Sequence, residues 1–109
     1  MQRIARIIRL KPEAIDEYKK IHAEVWPRVL SAITACNIKN YSIFLREPEN
    51  LLFAYFEYHG TDFEADMAEM AEDEATQRWW KITDPMQASL DSAAEGEWWA
   101  PTELVFHQD

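Results

Sequence analysis

Tyr18, His22 and Trp26 stand at four-residue intervals in the run EYKKIHAEVWPRV (17–29). On one helix that spacing lays a phenol, an imidazole and an indole along a single face. An imidazole titrates near neutral pH and can give or take a proton without a cofactor. A helix packed on a sheet also buries a histidine in this way, so the triplet alone does not specify chemistry. The weight comes from polar-tipped aromatics elsewhere. Tyr41 and Tyr55 fall on two neighbouring predicted strands, and Trp79 and Trp80 are adjacent. Neighbours on a helix diverge by about 100°, so one of those tryptophans must line a cleft or an interface. Trp98 and Trp99 pose the same question near the C-terminus, where a lid or a dimer contact is the simple reading. Rings with hydroxyl and imidazole tips suit a small neutral monosaccharide, whose C–H faces lie on the rings while the polar tips fix its hydroxyls.

Other chemistries find no support. No serine occupies a nucleophile elbow, and no second cysteine or histidine stands at metal-ligand spacing. His22 and Glu24, two apart, point to different sides of a helix, so no metal is expected. Cys36 reads as a buried helix-end residue, His59 as part of a turn with Gly60, and His107 as a surface or strand-end residue. The formal charge of −9, from 11 basic and 20 acidic residues, argues against a nucleic-acid backbone as partner. Residues 1–46 hold nine of the 11 basic side chains, whereas 47–77 hold ten acids and no lysine or arginine, a pattern that fits a solvated helix face and loop. No apolar run reaches the roughly 18 residues of a membrane span. One cysteine in the chain gives no internal disulfide. A cytoplasmic protein without membrane contact is expected.

These side chains need elements to hold them. Within 109 residues, 48% hydrophobic and 13% aromatic, one domain (1–109) with a modest core is expected. Residues 3–11 read as a strand, although Arg6 falls on its apolar register. Pro12 opens a helix whose stripe is Ile15, Tyr18, His22, Val25, Trp26, Val29 and Ile33, running to about Cys36 with Asn37 as its stop. Pro27 lies inside it and predicts either a kink or two abutting helices. Residues 38–46 and 51–58 form a hairpin around the turn at 47–50. A helical pattern spans 62–81, with Thr76 as a candidate cap for a second piece. Residues 84–101 read as irregular, and 102–107 as a closing strand. The order β-α-β-β-α-β is ferredoxin-like, an α+β fold with helices on one face of an antiparallel sheet. The almost continuously apolar third strand predicts that the other face is covered too, most simply by a second copy of the chain.

The runs EYKKIHAEVWPRV (17–29), NYSIFL (40–45), NLLFAYFE (50–57) and QRWWKITDPM (77–86) together resemble the L-rhamnose mutarotase family over nearly the whole chain. The resemblance implies a dimeric α+β barrel and a cofactor-free enzyme interconverting the α and β anomers of L-rhamnose. It places the catalytic proton donor on His22 and the sugar-binding positions on Tyr18, Tyr41, Trp79 and Trp80. In the mechanism expected, protonated His22 gives its proton to the ring oxygen and regains it on closure, while water or Tyr18 relieves the anomeric hydroxyl. Two departures stand out: the loop before the RWW segment is longer and more acidic than in the family, and the stretch after the second helix differs. Where the family carries an Asn-Pro-Asp-Asn-Ser-Pro-like run, this chain reads QASLDSAAEGEWWAP (87–101). That leaves L-fucose as a rival to L-rhamnose, and a non-catalytic sugar-binding module or a monooxygenase-like barrel as rival uses of the same architecture.

Overall fold

A computed structural model describes residues 1–109. Strand β1 (Gln2–Leu10) is followed by a 3-10 turn at Pro12–Ala14, helices α1 (Ile15–His22) and α2 (Pro27–Ala35), and the hairpin β2 (Ile38–Arg46) and β3 (Leu51–Tyr58). Helices α3 (Phe63–Glu72) and α4 (Glu74–Thr83) come next, then a 3-10 turn at Asp84–Met86 and the short strands β4 (Gln87–Ala88) and β5 (Ala100–Pro101). The sheet order is β2-β3-β1-β4, antiparallel throughout, which is the ferredoxin-like order.

Alternation along the strands divides the sheet into two faces. Ile8, Leu10, Leu52, Ala54, Phe56 and Tyr58 are buried on the helix-facing side. At about 1.5–3 kcal/mol for each large apolar side chain, they anchor the helices to the sheet. The opposite face carries a register-aligned apolar row, Phe44 against Phe53 against Ile7 against Ala100, and Phe44 there remains 62% exposed.

Strand β2 changes phase partway along. Ile38 is buried with Tyr58 and Phe56, yet Ile43 and Leu45, of opposite parity, pack on the same side beside Ile8 and Leu52. A bulge between Lys39 and Ser42 reconciles them. Asn40 takes a left-handed conformation there, φ 52°, and its amide donates to Glu57 Oε1 at 2.8 Å. Asparagine tolerates that region better than residues lacking a short polar side chain. The bulge turns Tyr41 toward the helices, where its ring lies 5.5 Å from that of Phe56.

One open alternative is decided, and two expectations need correction. Of the two readings of Pro27, the structure has the abutting helices: Trp26, preceding proline, is held extended (ψ 133°), so α1 ends before it and Pro27 opens α2 instead of kinking a longer helix. Asn37 still ends the segment, in the left-handed region at φ 66°. The cap of α4 is Asp73, not Thr76; its carboxylate accepts from the Thr76 backbone N–H at 2.9 Å and the Thr76 hydroxyl at 2.8 Å. The closing strand lies at 100–101 and not at 102–107. Pro101 has no N–H to extend the ladder, and the Thr102 hydroxyl occupies the Ala5 carbonyl at 2.6 Å. Leu104, Val105 and Phe106 therefore run exposed beyond the sheet.

Strands β4 and β5 pair with one edge of β1, at Arg9–Leu10 and Arg6–Ile7 respectively. They are one fourth strand interrupted by an excursion over residues 89–99. Arg9 clamps its start, donating to the Ser89 carbonyl at 2.6 and 3.0 Å and lying 3.3 Å from Asp91. Gly96, at φ 85°, allows the return turn in which Glu97 accepts from the Ala94 N–H at 2.8 Å. Trp99 packs against the cluster containing Ile8 and Tyr18, which fixes the far end.

Candidate active site

Helices and sheet leave between them a cleft of about 1490 Å³. Tyr18, His22, Tyr41, Trp79 and Trp80 all line it, so the five residues expected at a site share one cavity. Trp26, the third member of the 18/22/26 triplet, leaves the helical face because α1 stops at His22; it reaches the same group from the start of α2, 5.1 Å from the Trp79 ring.

The imidazole is tightly placed. The His22 ring stacks on the Tyr18 ring at 3.9 Å and 25°, and meets Trp79 edge-on at 5.2 Å and 71°. His22 Nδ1 lies 2.7 Å from the Tyr18 carbonyl oxygen, the residue four earlier on α1. A carbonyl can only accept, so Nδ1 carries a proton in either charge state, and Nε2 is the nitrogen that titrates. Burial lowers the His22 pKa below its ordinary 6.5, the Tyr18 carbonyl opposing it only in part. At neutral pH His22 is a neutral imidazole with a free Nε2 lone pair. In that form Nε2 offers a lone pair, whereas the sequence reading expects an imidazolium acid.

The phenols behave differently. Burial, reinforced by Tyr41, pushes the Tyr18 phenol far above its normal range, so Tyr18 stays protonated at neutral pH. Burial also raises Tyr41, and the nearby Arg6 charge counters part of that shift. The tandem tryptophans diverge as their spacing requires. Trp79 is 7% exposed and packs with Val29 and Ala75, while Trp80 keeps 38% of its surface. No three histidine, cysteine or carboxylate side chains converge as a metal site.

Two parts of the site go beyond the residues expected. Arg6 lines the cleft from the middle of β1. Its off-pattern place on an apolar register was the sequence signal for it. Gly96, Glu97, Trp98 and Trp99 of the excursion line the cleft as well; the doubled tryptophan marked the segment, but nothing in the sequence fixed where the loop returns.

A ferredoxin-like α+β sheet with an aromatic cleft and one backbone-anchored histidine defines a protein with a concave small-molecule site. A family model for L-rhamnose mutarotase matches residues 3–108. The chain belongs to the L-rhamnose mutarotase family. It is 43% identical over 89 residues to the L-rhamnose mutarotase of Listeria monocytogenes, covering 82% of this chain and 83% of that one. With the L-rhamnose mutarotase of Oceanobacillus iheyensis it shares 36% identity over 112 residues, covering both chains completely. The crystal structure of the L-rhamnose mutarotase FA22100 from Formosa agariphila superimposes with a TM-score of 0.79 at 24% identity over the full length of both chains, a match of fold. No helix is long and apolar enough to cross a membrane.

Proposed function

We propose that this chain is a cofactor-free mutarotase that interconverts the α and β anomers of a 6-deoxy hexose, L-rhamnose foremost. The observation that carries the reading is the anchored imidazole: His22 Nδ1 fixed on the Tyr18 carbonyl at 2.7 Å, with Nε2 left for substrate inside an aromatic cleft. Nε2 takes the proton from the anomeric hydroxyl O1. The C1=O1 double bond forms as the C1–O5 bond breaks, its electron pair moving to O5. O5 collects the proton from Nε2–H, rotation about C1–C2 presents the other carbonyl face, and the reverse sequence closes the ring. O1 and O5 share C1, so one imidazole serves both. Tyr18 and Tyr41, protonated, donate or accept hydrogen bonds to sugar hydroxyls, and Trp79 and Trp80 supply the apolar wall for the deoxy face. One positioned acid–base group contributes about 10²–10⁴-fold, enough for a reaction that already proceeds in water.

The test is saturation-transfer NMR of anomer exchange on a panel of 6-deoxy and ordinary hexoses. The wild-type chain accelerates exchange of L-rhamnose and His22→Ala loses most of that acceleration while folding normally. A sugar that binds without faster exchange contradicts the enzyme and favours a sugar-binding module. The departure at residues 87–101, whose tryptophans reach the cleft, keeps L-fucose as the second substrate of the panel.

The functional unit we propose is a homodimer in the cytoplasm, acting on a neutral sugar without nucleic-acid or membrane partners. The apolar row of exposed Phe44 and Phe53 beside half-buried Ile7 supports face-to-face packing of two sheets. The free, buried Cys36 thiol fits a reducing compartment.

A further inference from the structure

Arg6 occupies the helix-facing side of β1 between Ile4 and Ile8, where a chain building only a core would place an apolar side chain. Its cross-strand neighbour is Ala54, the small residue of that face, itself paired with Ile43. Ala54 leaves the space into which the arginine folds. The guanidinium carbon lies 5.3 Å from the Phe56 ring centroid and 5.7 Å from that of Phe63, so two aromatic faces support the cation. No carboxylate pairs with it; the ion pairs of the protein all involve other residues. A half-buried arginine without an anion is unusual, because charged groups removed from water are normally paired. Arg6 lines the cleft.

The two walls of that cleft rest on different parts of the core. His22 stacks with Tyr18 and Trp79, whereas Arg6 rests on Phe56 and Phe63, with Tyr41 against Phe56. The carboxylates of Glu64, Asp84 and Glu97 also line the cavity, and the chain carries a net charge of −9. Those charges disfavour an anionic ligand and favour a neutral one with paired oxygens. The planar guanidinium fork matches two neighbouring oxygens with parallel N–H donors.

We propose that Arg6 is the specificity-determining residue of the site, binding a vicinal pair of sugar hydroxyls remote from the anomeric carbon and so selecting which hexose is accepted. This rests on the mutarotase reading given above. The neutral diol replaces the missing anion, its two oxygens accepting while the phenyl rings hold the fork in place.

The experiment pairs kinetics with binding to a ligand that cannot react. Arg6→Met keeps length and apolar packing, and Arg6→Lys keeps the charge without the fork. Hydrogen bonds to a charged group lost at this site correspond to roughly a 10–100-fold weaker affinity. The expected result for Arg6→Met is a KM for L-rhamnose raised by about that factor with kcat within about threefold, and partial recovery in Arg6→Lys. Calorimetry with 1,5-anhydro-L-rhamnitol, which has the ring and its hydroxyls but no anomeric oxygen, reads the same loss without turnover. If wild type binds this ligand yet accelerates no anomer exchange, the mutarotase reading fails while the role of Arg6 is still measured. The inference is overturned if Arg6→Met binds the anhydro sugar within twofold of wild type. It is equally overturned if kcat collapses with KM unchanged, or if wild type prefers L-rhamnonate, the sugar acid, to the neutral sugar.

Discussion

Replacing Asn40 by alanine tests whether one bulge residue aims Tyr41 into the cleft. Asn40 sits at φ 52° and donates to Glu57 at 2.8 Å. An alanine in the left-handed region carries about 1–2 kcal/mol of steric strain. The hydrogen bond is exposed, so its net loss adds only about 0.5 kcal/mol. Asn40→Ala should therefore lose about 2 kcal/mol, which at a urea m-value near 2 kcal/mol/M lowers the denaturation midpoint by about 1 M. Asn40→Gly loses the same hydrogen bond but adopts positive φ freely, so its loss should be smaller, set mainly by the added freedom of the unfolded chain. The two variants should also separate in function. If alanine drives the bulge out, every residue beyond it changes face, and Tyr41 leaves the cleft with Ile43 and Leu45. Sugar affinity should then fall further in Asn40→Ala than in Asn40→Gly. Equal midpoints for the two variants, or a glycine variant less stable than the alanine one, would refute the reasoning.

Three further outcomes follow from other parts of the molecule. A Cβ at Gly60 would collide with the Tyr58 hydroxyl, which donates to Asp66 at 2.5 Å and accepts from the Asp62 N–H at 3.0 Å; Gly60→Ala should destabilise by about 1–3 kcal/mol in urea unfolding with little change in kcat of the surviving native protein. Trp98 lines the cleft and is 41% exposed; Trp98→Ala should raise KM several-fold with the midpoint of unfolding nearly unchanged, whereas Trp99→Ala should lower that midpoint because Trp99 packs on the core around Ile8 and Tyr18. Phe44→Glu, on the apolar outer face of the sheet, should shift the mass measured by light scattering from two chains to one.

Element by element, the sequence was informative where one period dominated. The hairpin over 38–46 and 51–58 has the observed bounds because aromatic and aliphatic residues, with isoleucines in the first run, dominate both around a polar turn. Those bounds did not reveal the bulge; its trace is the apolar parity, which runs from Ile38 to Ile43 and Leu45 across an asparagine. The apolar stripe continues through Trp26 and leaves a kinked helix and two abutting helices equally open, whereas the steric rule for a residue before proline acts on the backbone and decides for two. The final strand was misplaced for a related reason. TELVFH has strand composition, yet Pro101 and the Thr102 hydroxyl end the ladder before it starts. Of the site, the aromatic residues and His22 could be named from spacing and from resemblance. The protonation state of His22 could not, because it depends on the Tyr18 carbonyl and on burial, neither of which a sequence displays. Arg6 was visible as an irregularity, but its lack of an anionic partner emerges only from the packing.

The central claim is that a neutral imidazole, anchored through Nδ1, removes the anomeric proton. The direct measurement is the anomer-exchange rate followed by NMR across pH for wild type and His22→Ala. Because burial lowers the His22 pKa, the base form persists to below the ordinary value of 6.5. The enzyme-dependent rate should stay level as pH falls through neutrality and decline only below 6.5, as Nε2 takes a proton; in His22→Ala the decline and most of the rate should both be absent. A wild-type rate that falls as pH rises through 6.5 would show imidazolium acting as the initial acid, and an unchanged rate in His22→Ala would remove the imidazole from the reaction altogether.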